Sequence, residues 1–266
     1  MISRAYKPMF ASAAFILAVL TLYGQAAPKT KAVISGTRPC NAGLNLSILH
    51  DMAKSQSKED IHVWETYFKN LCHGHYLELG ALDGVTFSNT YMLSKGLNWT
   101  GVLIEANPSS FNQLEVNRPH DTNVNAAVCR QASVVHYANS SHPAVGGIWE
   151  FMAPSFRAEW YPNVVSADGM PAIPCVPLQQ VIDTTFTHFF DFFSLDVEGG
   201  ELEVLHSIDF SRTAFGVIVV EADTHAKRKN EIVRTFLHSK GYEYRGMLNN
   251  RHNDWFVSQA FHEIYM

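Results

Sequence analysis

A chain of 266 residues is long enough for one large domain, or at a stretch for two small ones. With 47% hydrophobic and 17% charged residues it has the balance of a packed globular protein, which excludes wholesale disorder. The formal net charge is −5, and the first 26 residues carry Arg4 and Lys7 but no acid, so the remainder sits at −7. Such a surface gives no electrostatic reason to hold a phosphate backbone, and no nucleic-acid partner is expected.

Arg4 and Lys7 precede an apolar run from Met9 to Tyr23, and Gly24-Gln25-Ala26 follows with small residues at the −3 and −1 positions. That layout reads as a secretory signal peptide over residues 1–26. The run is shorter than the ~20 residues that span a bilayer, which favours cleavage over a signal anchor. A membrane partner is expected only if this segment stays on as an anchor. Residues 27–45, with Pro28, Lys29, Gly36 and Pro39, read as a linker or stem. Asn45-Leu46-Ser47, Asn98-Trp99-Thr100 and Asn139-Ser140-Ser141 are acceptor sequons for N-glycosylation. Cys40, Cys72, Cys129 and Cys175 allow three pairings, and in an oxidising compartment at least one disulfide is expected. Together these place the chain in the secretory pathway, secreted or in the Golgi or ER lumen.

From Leu46 to Leu71 the apolar spacing is helical, with the polar interval Lys54–Asp60 able to break it in two. A strand follows at His75–Leu79, a helix at Ser88–Lys95 stopped by Gly96, and a strand at Gly101–Glu105. Pro108–Val116 is a helix with proline in its first turn, Asn123–Val128 a strand, and Ser133–Tyr137 another. Phe192–Asp196 and Phe215–Glu221 are strands separated by a helix at Glu201–Ile208. Lys227–Lys240 is a helix closed by Gly241, and Tyr242–Met247 with Asp254–Phe261 form a final strand pair. Strand–helix alternation with continuous apolar strands predicts an α/β, doubly wound, Rossmann-like sheet, mostly parallel, with an antiparallel pair at the C-terminal edge. Residues 46–266 form this domain, and residues 139–173, rich in Pro, Gly, Ser and Trp, read as an insertion or lid.

Two segments carry chemistry. In Tyr76-Leu77-Glu78-Leu79-Gly80-Ala81-Leu82-Asp83-Gly84 an apolar strand runs into glycines and acids before a helix. Gly80 lets a ligand approach the backbone, although an ordinary strand-to-helix turn also favours glycine and aspartate. The next strand ends in Glu105, well placed to accept hydrogen bonds from ribose hydroxyls. A dinucleotide site wants G-x-G-x-x-G, whereas here the spacing is Gly80-x-x-x-Gly84, with Asp83 where a phosphate would be repelled. S-adenosylmethionine carries no phosphate and is cationic at its sulfonium and amino groups, so an acid-lined loop suits it. The second segment is Ser194-Leu195-Asp196-Val197-Glu198-Gly199-Gly200-Glu201. Asp196 and Glu198, at a strand tip facing the same crevice, are candidates for a general base or for holding a metal, while Glu201 reads as a helix-capping acid.

These segments resemble the FkbM-type S-adenosylmethionine-dependent methyltransferases. The matching residues are Glu78 to Gly84, Glu105-Ala106-Asn107-Pro108, Asn125-Ala126-Ala127, and Leu195-Asp196-Val197-Glu198-Gly199 with Glu201, within roughly residues 74–245. The resemblance implies that Glu78, Gly80, Asp83 and Gly84 line the methionine and ribose side of the cofactor, with Ala81 among them. It puts Glu105 on the ribose, Ala126 near the adenine and Asp196 at the methyl donor. It implies methylation of oxygen on a sugar or small metabolite, so a small-molecule or glycan acceptor is the expected partner.

The remaining candidates weigh less. Cys72-His73-Gly74-His75 lacks a distant partner pair at zinc spacing. A divalent ion between Asp196, Glu221 and Asp223 has no distinctive spacing behind it, so no metal is assigned. His225 after the fifth main strand is either a base near neutral pH or a solvated loop histidine. Phe186, Phe189, Phe190, Phe192 and Phe193 read as core. Trp149 and Trp160 either wall a substrate pocket or pack the insertion down. Two rivals stand beside the methyltransferase: a secretory interaction or cargo module that keeps the fold without the activity, and an NAD-dependent oxidoreductase, which the loop spacing disfavours.

Overall fold

The computed structural model describes residues 38–40, 45–140, 145–222, 227–247 and 253–265. The expected signal segment, most of the stem, Asp223 and His225 lie outside these residues. Among the described residues no helix is long and apolar enough to cross a membrane.

The helical stretch before the first strand is two helices, α1 (Leu46–Asp51) and α2 (Glu59–Thr66). Asn45 caps α1, its side-chain oxygen accepting the Ser47 and Ile48 N–H groups. Next come β1 (His75–Leu79) and α3 (Tyr91–Leu97). This helix starts three residues later than the apolar spacing predicts, because Ser88, Asn89 and Thr90 turn instead around the buried Glu78 carboxylate. Gly96 does not stop it: Gly96 sits within the last turn, where a Cβ would strike Leu49 of α1, and Asn98, at φ +54°, ends the helix. Then follow β2 (Thr100–Glu105), α4 (Pro108–Asn117), β3 (Thr122–Asn125), β4 (Ala127–Val128), β5 (Ser133–Ala138), β6 (Gly147–Ile148), α5 (Pro154–Trp160), β7 (Ala172–Val176) and α6 (Leu178–Ile182). The chain continues with β8 (Phe189–Leu195), α7 (Glu201–His206), β9 (Ala214–Glu221), α8 (Lys227–Ser239), β10 (Tyr242–Met247), β11 (Asn253–Ser258) and a short closing helix, α9 (Phe261–Tyr265).

Seven strands form the main sheet in the order β10-β11-β9-β8-β1-β2-β3. All neighbours are parallel except where β11 meets β9 and β10. The last strand therefore inserts between β9 and β10, and β10 holds the edge. Both faces are covered, which is why all seven residues of β8 are buried. Side chains alternate between the two sides. Leu77, Phe193 and Ile218 pack against Leu178, Leu205 and Leu237 on one face. Tyr76, Phe192 and Val217 pack against Trp64, Leu93 and Phe261 on the other. Phe186 departs from the expected aromatic core: it is 57% exposed, its ring edge against His75.

The run Asn123–Val128 is not one strand. After Asn125 the chain leaves the main sheet, and Ala127–Val128 pair with β7 in a second, four-stranded sheet ordered β4-β7-β5-β6. Disulfides join Cys129 to Cys175, which ties this sheet together, and Cys40 to Cys72. Beside the latter, Arg38 donates to both carboxylate oxygens of Asp191 at 2.7 Å. Asp191, wholly buried, also accepts the Tyr265 hydroxyl at 2.6 Å and the His75 N–H at 2.7 Å. These contacts fasten residues 38–40 at the edge of the sheet where the parallel strands begin.

Candidate functional site

The parallel strands end at the opposite edge, and there a cavity of about 700 Å³ opens. That size falls within the ~300–1,000 Å³ of ordinary small-molecule sites. Because strand order is fixed, the tips form a row: Ala126 just past β3, Glu105 at β2, Gly80 at β1, Asp196 at β8, Glu221 at β9 and Asn253 at β11. All six line the cavity. Asn253 belongs to the row because β11 runs backwards, so its first residue pairs with Glu221, the last of β9.

Gly80 has φ +80°, and its N–H donates to Ile104 O at 3.1 Å while a Cβ would overlap the Asp196 carbonyl oxygen. Only glycine permits this turn between two strand tips. Glu105 is 3% exposed, and each of its oxygens already accepts one backbone N–H, from Leu82 at 2.8 Å and from Asn107 at 2.6 Å. Burial pushes its carboxyl up to about 7, against the pull of those N–H groups. With the Ala106 N–H also bonding to it, the carboxylate keeps lone-pair capacity for one further donor from a ligand.

The other loop residues divide. Glu78 reaches the cavity wall, but its carboxylate is held by Ser88, Asn89 and Thr90, and burial raises its pKa. Ala81, Asp83 and Gly84 do not line the cavity. Ala81 is buried in the core. Asp83 caps its own turn, accepting Val85 N–H at 2.9 Å, Thr86 N–H at 2.6 Å and Thr86 Oγ1 at 2.8 Å. Gly84, at φ +76°, lies under α4, where a Cβ would meet Leu114 and Arg118 at 2.6 Å. These three shape the loop rather than face a ligand.

Asp196, Glu198 and Glu221 offer carboxylate oxygens within 4.8 Å of one another. Such a trio can share protons or hold a cation, and nothing further in the geometry selects the cation. Burial, then the nearby Glu201 charge, pushes Asp196 up to about 6, while a hydrogen bond with Glu221 acts the other way. Glu221 is raised well above the usual carboxylate value, by burial first and then by Asp196, Glu198 and Glu201. Both carboxyls are thus biased towards the protonated form, and the two titrate as a pair. Glu198 is held at φ +55°, the left-handed region, on a turn completed by Gly199 at φ +113°. Glu201 is buried, accepts the Gly199 N–H at 3.0 Å and pairs with Lys229, so it fastens this turn from below.

Residues 145–160 press onto the same turn. A Cβ on Gly199 would meet Phe151 O at 2.7 Å, and Phe156 and Trp160 of α5 join the cavity wall. Trp149 instead packs inside the insertion against Tyr161, and the Arg157 guanidinium lies 4.7 Å from its ring. Sequence reasoning missed Gln56, Ser57, Phe87, Asn89, Ser194 and Asn253, all on the cavity wall. The signal for the first two was the acid pair Glu59-Asp60 beside a polar interval otherwise read as a mere helix break.

Residues 78–244, well over half of the chain, match the family described as the methyltransferase FkbM domain. The chain belongs to the FkbM family of S-adenosylmethionine-dependent methyltransferases. No curated protein matches the sequence. Among solved structures, this FkbM chain is similar to a TehB-like SAM-dependent methyltransferase from Corynebacterium glutamicum, at 11% identity and a TM-score of 0.40, over 80% of this chain and 94% of that one. It is likewise similar to the N-methyltransferase NodS from Bradyrhizobium japonicum, at 9% identity and a TM-score of 0.37, over 76% and 94% of the two chains. A third likeness is to fibrillarin from Aeropyrum pernix with bound S-adenosyl-L-methionine, at 12% identity and a TM-score of 0.35, over 70% and 66%. The family assignment rests on the sequence match.

Proposed function

We propose that this protein is a secretory-pathway O-methyltransferase acting on a hydroxyl of a sugar or small molecule. The observation that carries the reading is that Gly80, Glu105, Ala126 and Asp196 line one cavity. The donor set suits S-adenosylmethionine. Ile104, Ala106, Ala126 and Val128 give apolar walls beside Glu105, fit for an adenosine with its ribose against the acid. The carboxylates along the row suit a ligand positively charged at sulfur and nitrogen, and repel the pyrophosphate of NAD. Bound there, the cofactor supplies a methyl group already activated by its sulfonium.

What the chain adds is alignment and proton removal. Asp196 accepts the proton of the acceptor hydroxyl on a carboxylate oxygen, and the protonated Glu221 holds that carboxylate in place. Glu198 is the second candidate for the base. Both disulfides and the exposed Asn45, Asn98 and Asn139 support an oxidising, glycosylating compartment.

The test is ligand-dependent melting, followed by transfer of labelled methyl groups to a panel of glycans and small alcohols. S-adenosylhomocysteine at a hundred times its dissociation constant should add about 2.7 kcal/mol of stability, and NAD should add nothing. Stabilisation by NAD alone would overturn the reading in favour of an oxidoreductase. Stabilisation by neither would leave the fold serving as an interaction module.

A further inference from the structure

We propose that Gln56 recognises the methyl acceptor, and that this end of the cavity admits acceptors without negative charge; the inference rests on the methyltransferase reading above. Along the row of strand tips, the adenosine-binding residues occupy the β1–β3 half, which leaves the β8–β9–β11 half for the acceptor. Over that half lies a strap, residues 54–58, shaped by two buried acids. Asp60, wholly buried, accepts Lys54 N–H at 2.8 Å and Ser55 Oγ at 2.5 Å. Glu59, 2% exposed, accepts Ser57 N–H at 2.7 Å and the Asn253 side-chain amide at 2.8 Å, so it ties the strap to the tip of β11. Ser55 also bridges to Phe87 on the cavity wall.

These anchors hold Gln56 at the cavity, where its exposed amide bonds to no described residue. An amide both donates and accepts, and so fits a neutral polar group on the acceptor. The strap precedes residue 78, outside the segment that matches the family. The described residues of the wall include Glu78, Glu105, Asp196, Glu198 and Glu221 but no lysine, arginine or histidine. The nearby Lys229 is committed to Glu201. Among the described residues of the wall, a phosphate or carboxylate on the acceptor would find no cationic side chain to pair with.

Ligand-observed NMR on the full chain loaded with S-adenosylhomocysteine tests both statements. Glucose serves as the neutral probe, and glucose 6-phosphate and glucuronate as its anionic counterparts. Glucose should give saturation transfer and the anions none. Gln56→Ala should weaken glucose binding about tenfold, the loss of one hydrogen bond, while homocysteine-ligand affinity and melting temperature stay unchanged. Anions binding as well as glucose, glucose binding unmoved by the substitution, or no probe binding to the loaded protein would each overturn the inference alone. Failure of S-adenosylhomocysteine to bind would overturn the methyltransferase reading, and this inference with it.

Discussion

Replacing Asp196 with asparagine should stabilise the protein at neutral pH while abolishing methyl transfer. The carboxyl of Asp196 sits at about 6 in the folded chain, against an ordinary value of 3.8. A raised carboxyl pKa means that the folded state prefers the proton, so ionisation costs stability. That cost is absent below the unfolded value, grows as pH rises from about 4 to 6, and is constant above. A shift of about two units corresponds to roughly 3 kcal/mol at most. Asp196 is itself exposed at the cavity, so solvent screening reduces this, and about 1–2 kcal/mol is the expected size. For a chain of this length that is about 3–6 °C in melting temperature. Asparagine removes the ionisation and keeps the shape, so melting curves of the two proteins should nearly coincide at pH 4. They should separate through pH 6, with the variant higher, and stay parallel above pH 7. A variant that melts lower than the parent at pH 7–8, or by the same margin at every pH, would refute the account of a carboxyl pair biased towards the protonated form.

Gly80→Ala should cost about 2–5 kcal/mol, because its φ of +80° disfavours a side chain and the new Cβ would overlap the Asp196 backbone; chemical denaturation reads this directly. Glu105→Ala should weaken S-adenosylhomocysteine about 10- to 100-fold by calorimetry, as a charged acceptor for the ribose is lost. It should also lower stability somewhat, since the Leu82 and Asn107 N–H groups lose their partner. Opening the Cys129–Cys175 bridge, whose ends lie 46 residues apart, with a Cys129→Ala, Cys175→Ala double variant should lower stability by about 2–4 kcal/mol in a melting experiment.

Much of the main sheet could be read from the chain because its signals are local. Apolar runs such as the one that ends at Asp196, each followed by glycine or an acid, announce strands and their tips, and the tips lead to Glu105 and Asp196, although this strand starts at Phe189, three residues before the expected Phe192. What escaped were positions whose role depends on geometry that residue type and spacing do not carry. Asp83 has the residue type and spacing of a ligand-binding acid, yet an aspartate that caps its own turn looks the same in sequence. The break of Asn123–Val128 into two sheets depends on β7, some fifty residues further on, pairing with Ala127 and Val128. Ser57, next to Gln56, and Asn253 both bond to Glu59, and no periodicity carries that contact. Glu198 reads as a plain acid; its left-handed backbone becomes apparent only when Gly199 and Phe151 are seen packed together.

The fastening of residues 38–40 has a consequence for how the domain can be presented. Arg38, on Asp191, and Cys40, on Cys72, are held where the parallel strands begin, and the cavity opens where they finish. A label or support joined at residue 38 itself would therefore grip the domain at the edge away from the cavity and leave its mouth free.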